Sequence, residues 1–291
     1  MFGKLLTAMV TPFNPDLSVN YDLAGKLALH LVENGSDGLV IHGTTGESPT
    51  LTHEEEFELY RVVKKALNGK AALIAGTGSN STATSIKSTK TAEEIGVDGI
   101  MIVVPYYNKP SQEGMYRHFK AVAENTKLPI IIYNIPGRCV VNMTPETTAR
   151  LAQIKNIVGL KDAAGNSKQT EETRKLTPKD FIIWSGDDGL TLEFMKKGAV
   201  GVISVASHIV GPRIKEMINA FDSGDLKKAE AINQKLDEIF RVLFITSNPT
   251  PVKAALEMTG WKVGIPRLPL IEATAAEKEQ IKAALGRLGL L

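Results

Sequence analysis

The amino-acid sequence predicts an α/β fold, a single (β/α)8 TIM barrel followed by a C-terminal helical appendage. Three features carry the expectation. Short apolar runs recur through the first 205 residues, amphipathic stretches separate them, and the last part of the chain has helical spacing only.

In chain order the strand-like runs are Leu5–Val10, Gly38–His42, Ala71–Ala75, Gly99–Val104, Pro129–Asn134, Ile157–Lys161, Phe181–Ser185 and Val200–Val205. Each is rich in Val, Ile and Leu without polar alternation, the pattern of a strand buried on both faces of a parallel sheet. The segments between them carry helix signals. Thr52 stands three residues before Glu55, a capping box, and Thr144 precedes Pro145, which suits a first helical position. Gly35, Gly96 and Gly198 end helices just before the next strand. The repeat, about thirty residues at first and nearer twenty later, fits a βα unit. Eight such units in series point to a closed barrel, with a doubly wound open sheet as the alternative. No Gly-x-Gly-x-x-Gly follows the first strand, which counts against a dinucleotide-binding form of that alternative. Residues 224–246, 249–259 and 272–288 read as three helices, and no low-complexity linker precedes them. The expected organisation is a barrel over 1–223 with a helical extension, 224–291, docked on it.

With 291 residues, 43% hydrophobic and 23% charged, the chain can bury a sizeable core without metal or disulfide support. Its 34 basic and 32 acidic side chains leave a net charge of +2, which argues against nucleic acid or an anionic membrane as partner. The basic pairs Lys64-Lys65 and Lys227-Lys228 fall in helical patterns and read as solvated faces. Cys139 is the only cysteine, so no internal disulfide can form, which fits a reducing compartment. The opening residues lack the pattern of a signal peptide, and no apolar run approaches the ~20 residues of a membrane span. The expected location is the cytoplasm.

Barrel enzymes place their chemistry at the C-terminal ends of the strands. There Lys161 closes an apolar strand, and desolvation would favour the neutral amine that attacks carbonyls. The alternative is a structural lysine paired with Asp162 or another carboxylate. Gly43-Thr44-Thr45-Gly46 is a strand-to-helix turn whose N–H groups and hydroxyls could hold a carboxylate, or an ordinary loop. Tyr133 could move a proton or simply pack, and Arg138 has the planar fork that suits a carboxylate or could be solvated. Asp187-Asp188 could bind a divalent ion, but adjacent acids at a helix start read more simply as partners of the helix dipole. His30, His42, His53, His118 and His208 show no metal-binding spacing, which argues against a metal site, and there is no Walker loop or Gly-x-Ser-x-Gly elbow.

Together these segments resemble the dihydrodipicolinate synthase family, within the N-acetylneuraminate lyase superfamily. The likeness runs from Thr7-Ala8-Met9-Val10-Thr11-Pro12-Phe13 to Asn248-Pro249-Thr250-Pro251-Val252-Lys253. It is most specific at Gly43-Thr44-Thr45-Gly46-Glu47, Tyr133-Asn134-Ile135-Pro136-Gly137-Arg138 and Gly159-Leu160-Lys161-Asp162. The resemblance implies that Lys161 forms a Schiff base with pyruvate and that the derived enamine attacks L-aspartate 4-semialdehyde before an amine closes the ring. It implies a proton relay of Tyr133, Thr44 and Tyr107, the last from a neighbouring subunit. Thr45 would hold the pyruvate carboxylate, Arg138 that of the semialdehyde, and Gly186 and Ile203 would line the pyruvate pocket. A homotetramer built as a dimer of dimers and a place in diaminopimelate and lysine biosynthesis follow from the same likeness. Arg138 separates this family from sialic acid lyases and keto-deoxy-sugar aldolases, which resemble it in the lysine and tyrosine. An idle barrel serving as a scaffold would have no reason to keep all five of Lys161, Tyr133, Thr44, Tyr107 and Arg138.

Ser48, His53, Asn80 and Tyr106 match the lysine-effector pocket of inhibited family members. Glu56 and Thr84 depart from it, standing where those enzymes carry histidine and glutamate. Weak or absent lysine inhibition is therefore expected, with Glu56 able to supply charge only from a different direction. Cys139 stands where the family usually has Thr or Ser, and reads as a tolerated substitution or, alternatively, as a redox-sensitive thiol.

Overall fold

A computed structural model describes residues 2–291. In chain order it runs β1 (Leu5–Ala8), α1 (Tyr21–Glu33), β2 (Gly38–Ile41), a 3₁₀ turn (Ser48–Thr50), α2 (His53–Leu67), β3 (Ala72–Gly76), α3 (Thr82–Ile95) and β4 (Gly99–Val103). It continues with α4 (Gln112–Ala123), β5 (Ile130–Asn134), α5 (Pro136–Cys139), α6 (Pro145–Leu151), β6 (Ile157–Asp162), α7 (Ser167–Leu176), β7 (Ile182–Ser185), α8 (Thr191–Met195) and β8 (Gly201–Ser204). The chain ends in α9 (Ser207–Asp222), α10 (Leu226–Val242), α11 (Thr250–Met258) and α12 (Ala275–Arg287). The strands follow one another in chain order in a closed barrel, and the strand pairs are parallel. The expected (β/α)8 barrel with a helical C-terminal part is what the chain forms. Among the described residues no helix is long and apolar enough to cross a membrane.

The chain divides into two compact units, 1–71 with 204–291, and 72–203. In the first, β1 and β2 pair from Leu6 with Gly38 to Ala8 with Val40. β1 stops at Ala8, short of the expected Val10, because the Val10 N–H turns to His208 Nε2 at 3.1 Å. β2 stops before His42, which takes φ 61° and leaves the extended region. The Thr52–Glu55 capping box starts α2, satisfying two backbone donors that would otherwise be orphaned. In the C-terminal part α12 packs on α10 and α11.

In the second unit β3 to β8 pair in sequence around a core that includes Ile100, Ile102, Ile131, Ile132, Ile183 and Trp184. Each such side chain, once fully buried, contributes about 1.5–3 kcal/mol. The ladder between β5 and β6 slips by one residue after Ile130, which faces Ile157, whereas Ile131 faces Gly159. That slip decides the site, because a one-residue shift moves side chains to the opposite face. After it Tyr133 lies level with Lys161, and Lys161 in turn with Trp184. Gly159 is required here: a Cβ would meet Ile182 O at 2.4 Å and Trp184 Cζ3 at 2.7 Å. Thr144 caps α6 with Pro145 in its first turn, and Gly96 ends α3 in the left-handed region, as expected.

Candidate active site

Lys161, near the end of β6, is 5% exposed, and its Nζ lies 4.2 Å from the centre of the Tyr133 ring. Burial lowers its pKa from 10.5 to about 8; Asp188 opposes the shift and Arg138 adds to it. A lysine so placed reaches its neutral, nucleophilic form near neutral pH. The neighbouring Asp162 is not its partner. Successive strand residues point to opposite faces, and the Asp162 carboxylate accepts from the Ala164 N–H at 3.0 Å and the Thr170 hydroxyl at 2.8 Å. The carboxylate that acts on Lys161 is Asp188, 3% exposed in the loop after β7. The expectation that both acids serve a helix start is corrected here. α8 begins only at Thr191, and it is Asp187 that accepts from the Leu190 N–H at 3.2 Å. Adjacent positions in a sequence do not reveal which of two acids turns inward.

Tyr133 and Arg138 are linked by the short path from β5 into α5. Asn134 holds that path, donating from Nδ2 to Asn142 Oδ1 at 2.8 Å and accepting the Met143 N–H at 3.0 Å. Arg138 is exposed on α5, while Cys139 beside it is buried. Burial raises the Cys139 pKa to about 11, with Arg138 pulling the other way. The thiol therefore stays protonated and unreactive near neutral pH, which favours the tolerated substitution over the redox reading. Gly186 N donates to Asp162 O at 2.7 Å, and a Cβ there would meet Ala163 Cβ at 2.7 Å. Ile203 is buried on β8. Tyr106 and Tyr107 sit in the loop after β4, where Tyr107 has φ 71° and is 88% exposed. The same loop is tied down by Asn108 Nδ2, which donates to Asn80 O at 2.9 Å. Thr84 lies in the first turn of α3, where its N–H donates to Ser81 Oγ at 3.3 Å.

In the other unit the turn after β2 carries Thr44 and Thr45. Glu47 N donates to Thr44 O at 3.1 Å and Ser48 N to Gly43 O at 3.3 Å. Thr44 is half-buried; Thr45 is buried and its Oγ1 accepts from Asn248 Nδ2 at 2.9 Å. Ser48 opens the 3₁₀ turn, and His53 opens α2 with Nδ1 2.9 Å from Glu56 Oε2. Glu56 is buried and also accepts from the Tyr60 hydroxyl at 3.0 Å. Its carboxylate is thus engaged within its own unit. No local pattern marks Asn248 or Lys253 for a role; their only signal in the sequence is membership of the Asn248–Lys253 stretch. Among the described residues no group of three or more His, Cys, Asp or Glu side chains is placed to hold a metal ion.

Residues 1–288 match the family model described as the dihydrodipicolinate synthetase family. The chain belongs to this family. It is 56% identical over 291 residues to a 4-hydroxy-tetrahydrodipicolinate synthase of Desulforamulus reducens, covering all of this chain and 98% of that one. Among solved structures, a dihydrodipicolinate synthase of Cyanidioschyzon merolae with lysine bound superposes with a TM-score of 0.98 at 49% identity, covering 100% of this chain and 99% of the other. A structure described as the first monomeric dihydrodipicolinate synthase variant gives a TM-score of 0.97 at 40% identity, covering 100% and 98%.

Proposed function

We propose that this chain makes 4-hydroxy-tetrahydrodipicolinate from pyruvate and L-aspartate 4-semialdehyde, with Lys161 as the Schiff-base residue. The enzyme class stands on the family and on relatives more than half identical over the whole chain: a lyase of lysine and diaminopimelate biosynthesis. The observation that carries the residue assignment is the buried amine of Lys161, beside the Tyr133 ring and with a pKa near 8. The neutral amine attacks the ketone carbon of pyruvate, and water leaves to give an iminium. Loss of a methyl proton turns the iminium into an enamine, whose carbon attacks the aldehyde of the second substrate. That substrate's own amine then adds to the iminium carbon, closing the ring and releasing Lys161. The iminium is the electron sink, so the bond-forming step needs no further cofactor.

Tyr133, Thr44 and Tyr107 carry the protons, Thr45 and its turn hold the pyruvate carboxylate, Arg138 holds the semialdehyde carboxylate, and Gly186 and Ile203 line the pyruvate pocket. An exposed guanidinium on a short helix suits a bidentate contact with an incoming carboxylate. The protein works in the cytoplasm as a homotetramer of tight dimers, its helical extension from residue 224 docked on the barrel. Exposure of Tyr107 supports a role across a subunit interface. Borohydride reduction in the presence of pyruvate should attach one three-carbon adduct, mapped by mass spectrometry to Lys161. An adduct on another lysine, or none, would sink the assignment. Sedimentation should show no fully active monomer; finding one would remove Tyr107 from the relay.

A further inference from the structure

The Thr44-Thr45 turn is gripped from behind by residues outside the reaction scheme above. Glu47 closes the turn at φ 58°, in the left-handed region that costs a non-glycine residue conformational energy. Its carboxylate is what anchors it. Oε1 lies 2.6 Å from Lys253 Nζ, with both side chains 2% exposed, and Oε2 accepts the Arg267 N–H at 2.8 Å. Lys253 Nζ also sits 4.0 Å from the centre of the Phe13 ring, and the Arg267 guanidinium lies 4.5 Å from the same centre. One residue back, the Thr11 hydroxyl donates to Gly46 O at 2.6 Å. One further back, Asn248 Nδ2 donates to Thr45 Oγ1, with both side chains buried. Three consecutive residues of the turn are therefore each held by a different part of the same unit.

Two physical points say what this brace is for. A buried ion pair is a poor source of stability, because desolvation offsets most of its attraction and an apolar pair would fill the space as well. A pair retained behind a strained turn contributes geometry. The second point is polarity. A hydroxyl oxygen that accepts the Asn248 N–H keeps its own proton free to give, and that proton suits a carboxylate oxygen. Among the described residues Asn248 Oδ1 is buried without a hydrogen-bond partner, so the contact with Thr45 is the bond that orients this amide.

We infer that Asn248, Lys253 and Glu47 are positioning residues for the pyruvate carboxylate. Asn248 sets the direction of the Thr45 hydroxyl, and the Lys253–Glu47 pair holds the turn that presents it. This rests on the reading of Thr45 given above.

The test uses the full-length protein. Asn248→Ala should raise the Michaelis constant for pyruvate roughly tenfold, as expected for one lost hydrogen bond of this kind, with kcat and the constant for the semialdehyde within about twofold of wild type. Asn248→Asp, which can only accept and so reverses the Thr45 hydroxyl, should be worse than the alanine variant. The double variant Glu47→Gln/Lys253→Met removes both charges together. It should melt near wild type yet show a raised pyruvate constant, whereas a merely structural pair, once both charges are removed together, would leave that constant at the wild-type value. Borohydride trapping with methyl pyruvate, which lacks the charged carboxylate, should be spared in all the variants. An unmoved pyruvate constant in the folded variants, or an equal penalty with methyl pyruvate, overturns the inference while trapping at Lys161 stays intact. Failure of the wild-type protein to trap pyruvate at Lys161 would defeat the reading of the site, and this inference with it.

Discussion

Replacing Lys161 with methionine should end the chemistry and stabilise the fold. Burial holds the lysine pKa at about 8 in the folded protein against 10.5 for a free side chain. That depression corresponds to roughly 3 kcal/mol by which folding disfavours the charged amine. Attraction from Asp188 and repulsion from Arg138 are already contained in the figure. The sign follows from the order of the two values. The folded pKa lies below the unfolded one, so the penalty is fully present below about pH 8 and disappears as pH rises towards 10.5. Methionine has a similar length and no charge, and should escape the penalty. At pH 7 Lys161→Met should therefore exceed wild type by about 3 kcal/mol, and by pH 10 the advantage should fall below about 1 kcal/mol. Any misfit of the thioether adds a term that does not vary with pH, so the change in the gap is the quantity to read. Urea unfolding followed by circular dichroism at the two pH values measures it, with trapping as the control for lost chemistry. A gap that stays constant, or widens towards pH 10, would show that Lys161 is not a cation disfavoured by burial. Stability given up at a reactive residue is a common cost of function.

Arg138→Ala should raise the Michaelis constant for the semialdehyde about ten- to a hundredfold, the effect of losing a charge-assisted contact, and that for pyruvate far less; equal effects would count against its role. Schiff-base formation with pyruvate should speed up as pH rises through about 8 and then level off, as the neutral amine of Lys161 accumulates. In Arg138→Ala the rise should move to higher pH, because the guanidinium is one cause of the low lysine pKa, and movement to lower pH would contradict this. L-lysine should inhibit weakly or not at all at sub-saturating pyruvate, since Thr84 offers no charge to an effector ammonium and the Glu56 carboxylate is taken by His53 and Tyr60; losing one such contact weakens binding about ten- to a hundredfold, and half-inhibition below about a millimolar would overturn the expectation.

The succession of strands and helices was legible in the sequence because its signals are local. Apolar runs without alternation, the Thr52–Glu55 capping box and the Thr144-Pro145 start act over a few residues, and strand ends fell within two residues of the expected ones. At β1 and β2 a distant or conformational cause moved the end: His208 takes the Val10 N–H, and His42 leaves the extended region at φ 61°. Lys161, Tyr133 and Arg138 could be singled out because each belongs to a short motif at a strand end. Which charges act on Lys161 could not be read that way. Asp162 is its neighbour in sequence but faces away, and Asp188, one of two adjacent acids, turns inward. The pairing of Glu47 with Lys253 and of Thr45 with Asn248 joins segments far apart in the chain. Local spacing determines element type and order, since helix and strand arise from interactions among near neighbours. Desolvation and the choice of partner arise from whatever the folded chain packs around a group, and tertiary structure alone decided those.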